Sequence, residues 1–244
     1  MPPSGDVAIV IPARNEADRI GATVAAAGQI PGADIVVVVD DGSTDSTASV
    51  ARQAGASVVR HTRNRGKAAA METGAEAVAL LEQADPPAAP RHLLFLDGDL
   101  GDTAAKAGPL ADPVRSGSAD MTIAVFTSLV RLGGHGLVVR LSGAGIERAI
   151  GWHPDQPLNG QRCLTRRAFE AACPLAYGWG VETGMTIDLA RRGMRIVQVE
   201  VPLAHRASGT DFRSQLHRAR QLAEVARALA VRQRGRRAAR PDGG

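Results

Sequence analysis

The sequence predicts a single α/β domain with a mostly parallel sheet and helices on both of its faces. Three observations carry this. Short runs of Val, Ile and Leu recur through the first hundred residues, and Ala-rich stretches of helical character separate them. Each of these runs stops at a loop of Asp, Asn, Gly or Pro. The chain has 244 residues, 44% of them hydrophobic, which is enough for one sizeable core. Aromatics make up only 3%, so that core is built from small and branched aliphatic side chains.

The elements follow in order. Val7 to Ile11 is apolar throughout and stops at Pro12, the pattern of a strand covered on both faces. Asn15 to Gln29 is expected as a helix with Ile20 and Val24 on one stripe. Ile35 to Val39 is a second buried strand ending at Asp40-Asp41-Gly42, and Thr44 to Ala54 a helix that Ser43 or Asp45 can cap. Ser57 to Arg60 is a short strand, Lys67 to Leu81 a helix, Gln83 to Pro90 a loop, and Leu93 to Leu96 a strand leading into Asp97-Gly98-Asp99. In the second half, Met121 to Phe126 is a strand, Leu129 to Leu137 a Gly-rich loop and Val138 to Ile150 a helix. Cys163 to Ala172 pairs a short strand with a helix, and Val181 to Arg192 is a helix stopped at Gly193. Ile196 to Val201 is the last strand, Pro202 to Gly209 a loop, and Phe212 to Arg232 an amphipathic helix before a basic tail. Residues 1–210 are expected to form the domain, its donor half at about 7–100 and its acceptor half at about 101–210, with 211–244 a C-terminal helix and tail.

The formal net charge is +4 and nearly all the positive charge is arginine, which suits bidentate recognition of phosphate and carboxylate. The two cysteines, Cys163 and Cys173, have no CxxC partner or Cys/His cluster, so neither a disulfide framework nor a structural zinc is expected. Met1 to Asp6 has neither the charged nor the apolar region of a signal peptide. No apolar run approaches the roughly 20 residues that span a bilayer. A cytoplasmic location is therefore expected. The Arg-rich tail lacks interleaved aromatics, which argues against nucleic acid.

In a parallel sheet, ligands bind outside the carboxyl ends of the strands. Four polar loops fall there. Asp97-Gly98-Asp99 sets two carboxylates about a glycine, suited to a hard divalent cation that also takes phosphate oxygens; a plain Asp-Gly turn is the bland alternative. Asp40 to Asp45 offers a carboxylate to a base N–H or ribose hydroxyl, while its Ser and Thr can simply cap the next helix. Pro12 to Glu16 brings Arg14 for a phosphate and Glu16 for a ribose or base. Arg63 to Lys67 brings Gly66 and cations to a helix N-terminus, a natural anion site. Together they predict a nucleotide-diphosphate site.

The runs IPARNEADRI, VVDDGSTDST, NRGKAAAM and FLDGD resemble, in order and spacing, the nucleotide-sugar half of family 2-type glycosyltransferases with the GT-A (Rossmann-like) fold. The resemblance implies that Asp40 faces the nucleobase, Pro12, Ala13 and Glu16 contact the nucleoside, Gly66 and Lys67 lie near the nucleotide, and Asp97, Gly98 and Asp99 hold the diphosphate through Mg2+ or Mn2+. Further on, Gln156 to Arg162 resembles the PLAGE-type loop of glucosyl-3-phosphoglycerate synthases, and Tyr177 to Gly184 their GYGVE segment. This implies sugar or acceptor contacts at Gly134, His135, Leu158, Asn159, Gly160, Tyr177 and Glu182, and metal ligation by His205 beside Asp97 and Asp99. Glu182 and Asp99 are the residues carried over as catalytic. Glu182 could equally cap or salt-bridge its helix, and His205 be an ordinary loop histidine.

The resemblance implies hexosyl transfer with retention, from a nucleotide-diphosphate sugar, UDP-glucose by preference, to an unidentified acceptor. One departure bears on that acceptor: the synthases have an Arg and a Thr where this chain has His135 and Leu137, and a further Arg where it has Leu203. A phosphorylated or acidic acceptor is expected, with polyprenyl phosphate as the alternative and a non-catalytic nucleotide-sugar binder as the alternative outside enzymes. Membrane contact by the C-terminal helix and tail, and a homodimer, stay open.

Overall fold

A computed structural model describes residues 6–127, 136–203 and 221–232. Among these residues, seven strands form one sheet in the order β3-β2-β1-β4-β6-β5-β7. β1 (Val7–Ala13), β2 (Ala33–Asp40), β3 (Ser57–Arg60) and β4 (His92–Phe95) run parallel. β6 (Arg162–Leu164) is antiparallel to both β4 and β5 (Met121–Phe126), and β7 (Ile196–Val201) is parallel to β5. The expected mostly parallel sheet is therefore present, with β6 reversed in its middle.

The helices are α1 (Ile20–Ala27), α2 (Thr47–Gln53), α3 (Lys67–Ala84), α4 (Asp112–Arg115), α5 (Gly136–Ile150), α6 (Arg166–Ala172) and α7 (Val181–Arg191). Side chains alternate along β1, so Val7, Ile9 and Ile11 face one layer and Ala8 and Val10 the other. The first layer holds Ile20 and Val24 of α1 with Ala104, Ala107 and Leu110 of a 3-10 stretch at Gly101–Leu110, an element absent from the sequence expectation. The second holds Met71 and Val78 of α3, Phe169 of α6 and Met185 of α7, with Phe169 stacked on Phe95 at 5.3 Å between ring centroids. A third cluster joins Val138 and Ile146 of α5 to Ile187 of α7 and to Val225 and Leu229 of the helical residues 221–232.

Two helices begin later than expected, for one reason. The backbone N–H groups of Asn15, Glu16 and Ala17 are taken by the side chains of Ser43, Thr47 and Asp45 at 2.9, 2.8 and 3.2 Å. Asn15 adopts a left-handed φ of 56°, which Asn tolerates, and its Oδ1 accepts from Thr44 N. Residues 14–19 and 43–46 thus knit two strand-end loops together, and α1 and α2 start only beyond them. Asp45 Oδ1 accepts from Thr47 N at 3.0 Å, so of the two expected caps it is Asp45 that meets the start of α2. Gly193 follows α7 at φ 72°, donating to Ala190 O, as a C-terminal glycine should.

Candidate active site

The carboxyl ends of β1, β2 and β4 open on one cavity of about 500 Å3, a size suited to a nucleotide-sized ligand. Pro12, Ala13 and Arg14 line it from β1, Asp41, Asn64, Gly66 and Lys67 from the next two loops, and Asp97 from the end of β4. Tyr177, Gly178 and Trp179 close one side, joined there by Glu224 from the 221–232 helix.

The two adjacent aspartates at the end of β2, Asp40 as its last residue and Asp41 just beyond, have different jobs. Asp40 is fully buried; its Oδ1 accepts from Ser43 N at 2.8 Å, and Arg60 Nε stands 3.2 Å from Oδ2 without hydrogen-bond alignment. Asp41 lines the cavity and organises the basic loop. Its Oδ1 accepts from Arg65 N at 2.7 Å and pairs with His61 Nδ1 at 2.8 Å, and its Oδ2 accepts from Gly66 N at 2.8 Å. Gly42 between the loops sits at φ 71°, with the Arg63 and Asn64 backbone so near that a β-carbon would lie 2.6 Å from Arg63 C. A side chain there would break the Asp41 turn.

At the cavity floor, Lys67 Nζ lies between two carboxylates, 2.8 Å from Asp97 Oδ1 and 2.9 Å from Glu182 Oε1. Burial alone would lower the lysine pKa; the charges of Asp97 and Glu182 outweigh it and hold the ammonium above its ordinary value. Asp97 Oδ2 accepts from Gln161 Nε2 at 2.8 Å, so both of its oxygens are engaged. Gly160 packs directly beneath: a β-carbon there would run into Lys67 Nζ and lie 2.9 Å from Asp97 Oδ1. Glu182 is 4% exposed in the first turn of α7, where the helix dipole favours a carboxylate. Its Oε2, and Gln161 Oε1, are buried with no hydrogen-bond partner among the described residues.

The remaining expected residues stand as follows. Gly98 tucks under β1, its Cα facing Ala13 and Glu16, and Glu16 is half-buried beside it without lining the cavity. Asp99 is half-buried, its carbonyl accepting from Arg19 Nη1 at 3.2 Å. Asn159 is buried and structural, with Oδ1 accepting from Gln161 N and Nδ2 donating to Gln156 Oε1. Leu158 packs against the third core cluster, and Tyr177 is 56% exposed at the cavity mouth. Gly134, His135 and His205 lie outside the described residues. Asp41, Asn64 and Gln161 sit inside the motifs and were legible as neighbours of the chosen residues. Trp179 likewise lies within the Tyr177 to Gly184 segment; Glu224 carries no such signal, and it accepts from Trp179 N at 2.9 Å across 45 residues of sequence.

Among the described residues, no group of three or more His, Cys, Asp or Glu is placed to hold a metal by itself. Asp97 already takes two protein donors. Of the two expected carboxylates, Asp97 lines the cavity and Asp99 does not; hard carboxylate oxygens of this kind suit a divalent cation that draws most of its ligands from substrate oxygens and water, the usual manner for Mg2+.

A match to the model of glycosyl transferase family 2 spans residues 8–130, which includes every strand-end loop on the donor side of this cavity. The chain belongs to glycosyl transferase family 2. It is 33% identical over 223 residues to the glycosyltransferase AglJ of Haloferax volcanii, covering 86% of this chain and 67% of the relative. It is 54% identical over 70 residues to the succinoglycan biosynthesis protein ExoU of Rhizobium meliloti, covering 27% of this chain and 20% of that one. Among solved structures, this glycosyltransferase is similar to glucosyl-3-phosphoglycerate synthase from Mycobacterium tuberculosis. The complex of that enzyme with Mn2+, uridine diphosphate and phosphoglyceric acid matches with a TM-score of 0.73 at 25% identity, covering 98% of this chain and 80% of the synthase. Its Mg2+ and uridine-diphosphate complex matches with the same score over 93% and 78%. The GT-A fold expected from the sequence is thereby established.

Proposed function

We propose that this family 2 glycosyltransferase moves a hexose, glucose by preference, from a UDP-sugar to an acceptor hydroxyl with retention of configuration, using Mg2+ or Mn2+. The observation that carries the reading is Lys67, held between Asp97 and Glu182 at the floor of the cavity formed by Pro12 to Arg14, Asp41 and Gly66. Strand-end loops enclose the nucleotide. Asp99 would hold the cation, with Asp97 and His205 beside it by resemblance. When bound, the cation supplies positive charge to the departing diphosphate. The chain's own part is to orient the donor and to present fixed charges where charge develops. The uridine diphosphate and Mn2+ or Mg2+ of the mycobacterial synthase complexes support this donor and cofactor.

The acceptor reading leans away from phosphoglycerate. Leu203 is fully buried in the core, so it offers no donor where the synthases have an arginine, and Leu137 is 72% exposed at the start of α5. A polyprenyl phosphate is the second reading for the acceptor.

The test is a thermal-shift series with UDP- and GDP-sugars, each with and without Mn2+, followed by an acceptor screen. That screen would set 3-phosphoglycerate and other soluble acids against polyprenyl phosphate. A UDP-sugar should raise Tm only with the metal, and Asp99→Ala should abolish the rise. If no nucleotide sugar stabilises the protein and Asp99→Ala changes nothing, the proposal is wrong. Binding without turnover on any acceptor would make the chain a nucleotide-sugar binder.

A further inference from the structure

Among the described residues, Arg162 is the largest side chain with essentially no exposure, 1%. Its backbone sits in β6 at the centre of the sheet, in register with Phe95 of β4 and Ile123 of β5. Its guanidinium donates to four oxygens. Nε reaches Asn159 O at 2.9 Å and Nη2 reaches Pro157 O at 3.1 Å; Nη1 reaches Glu182 O at 3.1 Å and Thr186 Oγ1 at 2.8 Å. None of these acceptors is a carboxylate. Burial pushes the guanidinium pKa down to about 10, with the Glu182 charge pulling it back up, so it stays charged at neutral pH.

A buried charge whose oxygen partners are only carbonyls and a hydroxyl, with one long 3.9 Å contact from Nη1 to Met121 Sδ, is expensive, and an apolar side chain of similar volume would fill the same space at lower electrostatic cost. What the charge joins explains its presence. Pro157 and Asn159 belong to the loop that sets Gly160 under Lys67 and Gln161 against Asp97. Glu182 and Thr186 are the first two turns of α7, and Thr186 Oγ1 itself donates to Glu182 O at 2.8 Å. One planar fork therefore ties the sheet, the loop below Asp97 and the helix carrying Glu182. Lysine, with one nitrogen, cannot meet four acceptors arranged this way.

We infer that Arg162 is a positioning residue, which fixes the Glu182 carboxylate opposite Asp97 so that Lys67 is held between them. The inference rests on the donor-site reading above for its catalytic consequence, but its structural half is open to test alone. The chain has two lysines, Lys67 and Lys106, and Lys106 is exposed. A slowly exchanging side-chain ammonium signal in a 15N NMR spectrum is therefore that of Lys67.

The experiment compares wild type, Arg162→Lys, Glu182→Gln and the double variant. It follows the Lys67 signal, UDP binding with Mn2+, and release of UDP from UDP-glucose. Arg162→Lys should shift or broaden the Lys67 signal as Glu182→Gln does. It should leave the UDP affinity within about twofold and lower kcat by about 10- to 100-fold. In the Glu182→Gln background the same substitution should cost less than about twofold, because it acts through Glu182. Equal losses in both backgrounds, or an unchanged Lys67 signal, would overturn the inference. If Arg162→Lys fails to fold, Thr186→Val removes one of the four acceptors and enters the same cycle, where the same results support or overturn the inference. If the wild type neither binds UDP nor releases it, the proposed function fails, while the Lys67 signal still decides whether Arg162 positions Glu182.

Discussion

Lys67 shows how much one side chain integrates. It bridges Asp97, 30 residues away, and Glu182, 115 residues away, and Gly160 is bare so that it can do so. Lys67→Met would leave two partly desolvated carboxylates facing each other, a change of about 3 kcal/mol by analogy with other broken buried pairs. The sign of its pH dependence follows from the raised folded pKa. The stabilisation is fully present below the ordinary lysine value of 10.5 and is lost as pH rises through the higher folded value. Denaturation of wild type and Lys67→Met should therefore differ by a constant amount from pH 6 to 9, and the gap should begin to narrow only above about pH 10.5. Gly160→Ala attacks the same point by volume. Its methyl displaces Lys67 and Asp97, so the UDP–Mn2+ thermal shift should vanish. The unliganded protein should lose about 1–3 kcal/mol, read as a Tm lower by about 2–4 °C per kcal/mol.

Among elements, the helical residues 221–232 are the ones whose part in the site is least visible in sequence. Val225 is fully buried, and Leu229, Ala228 and Arg232 press against Gly145, Gly180 and Gly184, where β-carbons would come within 2.5 to 2.8 Å. Arg232 grips Asp188 through both Nε and Nη2, and Arg191 Nη1 donates to Arg232 O. This seating brings Glu224 to Trp179 N at the cavity wall. In Gly180→Ala the new methyl meets the Ala228 methyl at 2.6 Å and the Glu224 carbonyl at 3.0 Å. That variant should release the helix, with faster hydrogen exchange across 221–232 and slow exchange retained in β1, β2 and β4. Unchanged exchange over 221–232 would mean the helix is not held by this contact. The sequence does mark the apolar stripe of Val225 and Leu229, but a stripe says only that a face is buried and not against what.

Across the whole molecule, the two halves of the sheet are joined where β6 runs antiparallel between β4 and β5, and Asp120 secures the far half. Asp120 Oδ2 accepts from Arg195 N at 2.9 Å at the start of β7, Oδ1 from Arg167 Nη2 at 3.3 Å on α6, and its carbonyl from Thr165 N at 3.0 Å. Burial acts to raise its pKa, yet the Arg195 backbone bond and the two arginines prevail and hold it below the ordinary carboxylate value. Its contribution is thus present above pH 3.8 and lost as pH falls through the lower folded value. Asp120→Asn should cost about 1 kcal/mol near neutrality, and the difference from wild type should shrink as urea midpoints are followed below about pH 4. A constant difference down to pH 2 would show that Asp120 stays out of acid unfolding.

By itself the sequence determined the strand ends and the donor-side loops, because the signals involved are local. β3 and β5 fall on their expected residues, and α3 begins at Lys67 as expected, since apolar runs, proline stops and Asp-Gly turns act over a few residues. It also placed Asp97, Lys67 and Arg14 in one crevice, because a parallel sheet brings its strand ends together. Only the tertiary structure decided which group does what. Asp40 is turned into the protein and Asp41 toward the cavity, α1 starts late because Asn15 takes a left-handed φ and loop side chains hold the N–H groups of Asn15 and Glu16 ahead of it, and Glu224 arrives from a distant helix. The deciding contacts join residues 20 to more than 100 positions apart, and their geometry is set by packing that no local pattern encodes.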